Sequence, residues 1–227
     1  QRPHGMAFLP GDTLVLVTSE GSRALLRVDV RDGRVVDTLP TIGRASHMVA
    51  LTAKGDRAFT ANIVDNTISS VDVTRRDSTR VIPVGRAPEG IAVTPDGHGV
   101  WVGSNRDSTV MVVDARRGVA TDTLRGFGVP YRIAISPDGR LAVISDPAMA
   151  RVRVVSVADR KERFTIAVPA DSLVATAEVP GSPSPEGVAI SRDGRWAFVT
   201  LQGRNRVVTI DLARGAITAS APTGAWS

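Results

Sequence analysis

One phrase recurs five times along the 227-residue chain, and it constrains the fold more than any other feature. It reads Pro3-His4-Gly5-Met6-Ala7, Ser46-His47-Met48-Val49-Ala50, Pro88-Glu89-Gly90-Ile91-Ala92, Pro130-Tyr131-Arg132-Ile133-Ala134 and Pro185-Glu186-Gly187-Val188-Ala189. The starts at 3, 46, 88, 130 and 185 give steps of 43, 42, 42 and 55 residues. Three near-equal steps identify an array of like structural units, and the fourth implies an insertion of roughly 13 residues.

Each unit reads as four short strands. A turn follows the opening phrase, as in Thr94-Pro95-Asp96-Gly97, Ser136-Pro137-Asp138-Gly139 and Ser191-Arg192-Asp193-Gly194. In such a turn Pro presets φ, Asp bonds its local backbone and Gly takes the positive-φ position. A second apolar strand comes next (Ala58 to Ala61, Val100 to Gly103), then a polar hairpin and a third strand. That third strand ends in Asp29, Asp72, Asp114 or Asp211. A short fourth strand, such as Val35 to Leu39, precedes a Gly and the next unit. Strands of this length, with turns every 8–12 residues or so, argue for an all-β chain. Four strands in a repeat of about 42 residues predict a β-propeller blade. The blades are expected at about 3–45, 46–87, 88–129, 130–184 and 185–227, all within one propeller spanning 1–227.

The phrase Pro-x-Gly-apolar-Ala-apolar-Thr/Ser-Pro-Asp-Gly, followed by an aromatic strand and x-Val-x-Val-apolar-Asp, resembles the YVTN-type β-propeller repeat family. The resemblance covers nearly the whole chain, although the name-giving tetrapeptide is degenerate here (Phe59-Thr60-Ala61-Asn62, Trp101-Val102-Gly103-Ser104, Phe198-Val199-Thr200-Leu201). It implies relatives of seven blades, often bacterial or archaeal, exported or surface-associated. They include lactonases, a lyase acting on cyclic lactone antibiotics and the propeller subunits of periplasmic oxidoreductases. A periplasmic or extracellular location is the matching expectation. Because five units leave two apolar blade flanks without neighbours, the expected object is an open fragment of a seven-bladed ring, with the missing blades among its partners. The alternative is a five-bladed ring closed by face packing alone.

Alternation of four strands places the opening phrase and the second hairpin at one end of a blade, beside the central channel, and the Asp-Gly turns at the other. The residue after each opening Pro or Ser is therefore repeated around the channel mouth: His4, His47, Glu89, Tyr131 and Glu186, with Arg132 replacing Gly in the fourth unit. These six are the candidate ligand-binding residues. Imidazole and carboxylate are ligands for zinc, iron or copper and also serve general acid–base chemistry, so a channel metal ion is compatible with the set. No cofactor is otherwise evident, and no catalytic residue can be assigned.

Other features carry less. His98 falls on a turn at the opposite end and is expected to be solvated. The strand-end Asp series is explained by turn bonding, and Phe59, Trp101 and Phe198, at equivalent positions, by packing between blades. Two candidates compete for the fourth strand of unit four, Arg163 to Val168 and Leu173 to Val179, within an insertion that could form a binding lip stiffened by Pro180, Pro183 and Pro185. The net charge of +5 comes almost wholly from Arg, with Lys54 and Lys161 the only lysines, and the arginines are scattered beside acids. That scatter argues against nucleic-acid binding. There is no cysteine and no apolar run of membrane-spanning length. The expectation is a non-catalytic binding or scaffold propeller that presents its channel mouth to a protein, glycan or small ligand. The alternative is a propeller enzyme or enzyme subunit of the lactonase, lyase or periplasmic oxidoreductase kind, with a metal or acid–base cluster at the mouth.

Overall fold

A computed structural model describes residues 2–76, 78–168 and 184–224. It contains five four-stranded antiparallel sheets, each a meander of consecutive strands. They span 3–40, 46–83, 88–124, 133–167 and 185–222 and are called blades 1 to 5. The chain forms two compact units, residues 1–124 with blades 1 to 3 and residues 125–227 with blades 4 and 5.

In the first unit, blades 1 and 2 bury Leu16, Leu25, Leu39, Val49, Ala58 and Val71 between them. Blades 2 and 3 bury Phe59, Ile68, Ile82, Val100, Val102 and Val113. In the second unit, blades 4 and 5 enclose Val143, Val152, Val154, Ala197, Val199 and Ile210. Each core is sheet against sheet and rich in β-branched residues, as the alternation of apolar positions dictates.

The strand-end and turn acids do what their positions require. Asp29 accepts from the Arg31 N–H, Asp72 from the Thr74 N–H and hydroxyl, Asp114 from the Arg116 and Arg117 N–H groups, and Asp211 from the Ala213 and Arg214 N–H groups. The side-chain and backbone hydrogen bonds from Arg31 hold Asp29 down at about 2. Asp96, Asp138 and Asp193 accept from a Thr or Ser hydroxyl and from a backbone N–H, closing the first turn of their blades. His98 is exposed on one of these turns, near Asp96.

One expectation needs revision, and one open choice is decided. Phe59 and Trp101 are fully buried, but Phe198 is 40% exposed. In the second strand of blade 5 (Trp196–Leu201) the buried residues are Ala197, Val199 and Leu201, so Phe198 stands on the opposite sheet face. In blades 1 and 2 the equivalent residues, Leu16 and Phe59, pack on the blade that follows. No described blade follows blade 5. The fourth strand of blade 4 is Glu162–Ala167, the earlier of the two candidates, paired with Arg151–Ser156. The other, Leu173 to Val179, lies outside the described residues, as do Pro180 and Pro183.

Candidate functional site

The opening phrases sit where the sheet is irregular. In blades 1, 2, 3 and 5 the pairing of the first two strands slips between the phrase's first residue and its fourth: Pro3/Met6, Ser46/Val49, Pro88/Ile91 and Pro185/Val188. His4, His47, Glu89 and Glu186 lie in these slips, and such bulges turn a side chain away from the regular pleat. In blade 4 the regular first strand is only Ile133–Ile135, so Tyr131 and Arg132 precede it. Hydroxyls fix the slips. Thr18 accepts from the Gly5 N–H and donates to the His47 carbonyl, while Ser145 accepts from the Arg132 N–H and donates to the Glu186 carbonyl.

The loop ahead of the phrase is anchored too. In blade 2, Asp65 accepts from the Arg44 N–H and Nε; in blade 3, Asp107 accepts from the same two groups of Arg86. These bonds, the backbone one first, hold both carboxyls below their ordinary range. Gly43 precedes Arg44 because a Cβ there would stand 2.2 Å from the Asn62 amide. That amide is the centre of a buried network: Asn62 donates to Thr67 and Ser69 and accepts from Ser46 and Thr60.

In the first unit the structure brings His4, His47 and Glu89 together. The His4 and His47 rings stack with centroids 3.5 Å apart. His47 Nδ1 is 2.5 Å from Glu20 Oε1 and its Nε2 is 3.4 Å from Glu89 Oε1. The second oxygen of Glu89 accepts from Asn105 Nδ2 at 2.7 Å, and Arg2 stands 3.9 Å from Glu20. The His47 side chain is 13% exposed. Burial alone would lower its pKa, but the hydrogen bonds to Glu89 and Glu20 outweigh that and raise it. While it is charged, an imidazole facing a carboxylate at each nitrogen donates from both and has no lone pair to offer a metal. Among the described residues no three His, Asp or Glu side chains are placed to hold one ion. This cluster therefore does not fit a metal centre as it stands; it is a closed ion-pair network.

In the second unit Tyr131, Arg132 and Glu186 line one cavity of about 330 Å3, together with Thr200, Asn205 and Arg206. The Arg132 guanidinium lies 4.1 Å over the Tyr131 ring and donates to the Tyr131 carbonyl. Glu186 accepts from the Ser184 hydroxyl, and the Gln202 amide, oriented to donate, reaches both of its carboxylate oxygens. Arg206 Nε donates to Ser220. The cavity thus presents an acceptor pole, a cationic pole and an aromatic edge within a volume at the small end of the range for small-molecule sites, about 300–1,000 Å3. A larger cavity of about 600 Å3 lies at the Asp-Gly-turn end of the first unit. Arg80, on its wall, spends its donors on the carbonyls of residues 115–117, and none of the repeated positions reaches it.

Sequence reasoning missed Glu20, Asn105 and Gln202, the partners of His47, Glu89 and Glu186. Each is the first residue after its blade's second strand, and the series 20, 63, 105, 147, 202 advances by 43, 42, 42 and 55, the steps of the opening phrase. That shared period is the signal that finds them.

A family model described as "YNCE-like beta-propeller" matches residues 38–226. Among solved structures the chain is similar to Kuenenia stuttgartiensis hydrazine synthase, at 18% identity and a TM-score of 0.69, over 98% of this chain and 87% of that one. At that identity the likeness carries the fold alone. No curated protein sequence matches. No helix among the described residues is long and apolar enough to cross a membrane.

Proposed function

We propose, for a chain that belongs to the YNCE-like β-propeller family, a binding function without catalysis of its own, exercised at the hairpin end of the second unit. The observation that carries this reading is the cavity of about 330 Å3 lined by Tyr131, Arg132 and Glu186, residues that occupy the repeated opening-phrase positions. Its walls offer hydrogen-bond donors and acceptors of both signs around an aromatic ring, the equipment that orients a small polar ligand or the polar tip of a glycan or protein. The first unit supports the same reading. Its His47 cluster is saturated internally and braces the strand entries, with neither an open coordination position nor an unengaged base at His47.

The test is ligand binding by calorimetry against a panel of neutral and charged sugars and short peptides. Wild-type protein is compared with Arg132→Ala and Glu186→Gln, and with Arg140→Ala on the Asp-Gly-turn end as a control. The reading expects a ligand whose affinity falls at least tenfold in both cavity variants and is unchanged in the control. A ligand indifferent to both cavity variants refutes it. We further propose that blades of the same repeat cover the sheet faces carrying Met6, Phe8 and Phe198, which are 64, 53 and 40% exposed. The family resemblance supports a periplasmic or extracellular location.

A further inference from the structure

The cavity of about 600 Å3 at the Asp-Gly-turn end of the first unit has a lining of marked positive charge. The first turn of blade 2 and the start of its second strand bring Lys54, Asp56 and Arg57, and the first turn of blade 3 brings Asp96. Arg80 comes from the last strand of blade 2 (Thr79–Pro83), and Arg116 from the turn after the third strand of blade 3 (Thr109–Asp114). Four cationic residues thus share the lining with two acids.

Both carboxylates are committed to their own turns. Asp56 accepts from the Thr52 hydroxyl, and Asp96 from the Thr94 hydroxyl and the His98 N–H. Arg57 donates to the Ser70 hydroxyl. Arg80 is held in place by backbone: its Nη1 donates to the carbonyls of Arg116 and Arg117, and its Nη2 to that of Ala115. Gly118 makes room for it, because a Cβ there would stand 2.7 Å from the guanidinium carbon. A guanidinium has five N–H groups, so the Nε–H and one Nη2–H stay unspent on a side chain that is already fixed. Among the described residues, neither the Lys54 ammonium nor the Arg116 guanidinium has a hydrogen-bond or ion-pair partner.

We infer that this cavity takes a small phosphate monoester, its phosphate held by Arg80, Arg116 and Lys54. This second site lies in the first unit and stands whether or not the cavity of the second unit binds. The two spare donors of Arg80 are neighbours and can meet two oxygens of one oxyanion. Because that guanidinium is already fixed, little ordering cost falls on binding. Lys54 and Arg116 add charge on exposed, adaptable side chains. A phosphate monoester carries about −1.5 to −2 charges at pH 7 and three acceptor oxygens. It matches an excess of two cations better than a singly charged carboxylate does. The cavity, at about 600 Å3, falls within the range of small-molecule sites and leaves room for an organic group beyond the phosphate.

The experiment titrates glucose 6-phosphate, glucose 6-sulfate and glucose into the intact protein by calorimetry at low salt. Glucose 6-phosphate is expected to bind wild type at least tenfold more tightly than glucose, and more tightly than the singly charged sulfate. The paired substitution Lys54→Ala with Arg116→Ala should weaken glucose 6-phosphate at least tenfold. Arg80→Lys, which keeps the charge and loses the fork, should do the same. Arg132→Ala, in the cavity of the second unit, should leave that affinity unchanged. Failure of glucose 6-phosphate to bind, or binding no tighter than that of glucose, overturns the inference. So does an affinity indifferent to the first-unit variants, or one lost only in Arg132→Ala, which would put the anion in the second unit. A sulfate that matches the phosphate refutes the doubly charged ligand. Should Arg80→Lys fail to fold, the Lys54 and Arg116 pair decides, since neither side chain bonds to the described chain.

Discussion

Removing His47 is expected to cost the protein more at pH 6 than at pH 9. His47 faces Glu20 at 2.5 Å and Glu89 at 3.4 Å, so only the first contact counts as a full charge-assisted hydrogen bond. Such a bond contributes about 1.5–3 kcal/mol, and the ring stack with His4 adds roughly 0.5–1 kcal/mol. The side chains are 13–16% exposed, so solvent screening trims the sum. His47→Ala should then lose about 2 kcal/mol at pH 6, or about 4–8 °C in melting temperature for a domain of this size. Because the folded pKa of His47 is raised, its charge-linked stabilisation is fully present below the unfolded value of about 6.5 and is lost as pH rises through the folded value. Above that point a neutral ring keeps one donor, and the deficit should shrink to about 1 kcal/mol. Thermal melts of wild type and variant at pH 6 and pH 9 decide it. A deficit that is constant, or that grows with pH, refutes the ion-pair account of this cluster.

Other consequences follow from the same geometry. Asn62→Ala removes the centre of a largely buried four-bond network and should destabilise by about 3 kcal/mol in urea unfolding; a loss below about 1 kcal/mol would mean that the neighbouring hydroxyls re-pair without it. Trp101→Ala empties a fully buried site and should cost about 3–5 kcal/mol by the same assay, whereas Phe198→Ala, at 40% exposure, should cost well under half of that. Elemental analysis should find no stoichiometric zinc, iron or copper bound at His47, and EDTA should leave the melting temperature unchanged. Metal that is lost in His47→Ala would revive the enzyme alternative.

Much of the fold was legible because a repeat states the same rule five times. Pro-Asp-Gly turns, Asp-terminated third strands and apolar alternation each have a local physical cause, and the structure places them in register. Phe198 was misread because a residue's place in the repeat predicts which sheet face it occupies, not whether a neighbour covers that face. The candidate site was half legible. The opening-phrase residues could be counted off, but their partners Glu20, Asn105 and Gln202 sit on hairpins whose sequences differ from blade to blade. Chemistry there varies while backbone position does not. That His47 would be closed between two carboxylates depends on side chains from three blades, and no spacing rule specifies such a meeting.

The central claim is that the repeated hairpin-end positions of the second unit form the ligand site. Its most direct test is an amide-resolved NMR titration with the tightest ligand from the panel. The account predicts shifts concentrated at residues 131–132, 186–187 and 200–206, with the Asp-Gly turns at 137–139 and 192–194 silent. Shifts concentrated at those turns, with the hairpin end silent, would contradict it.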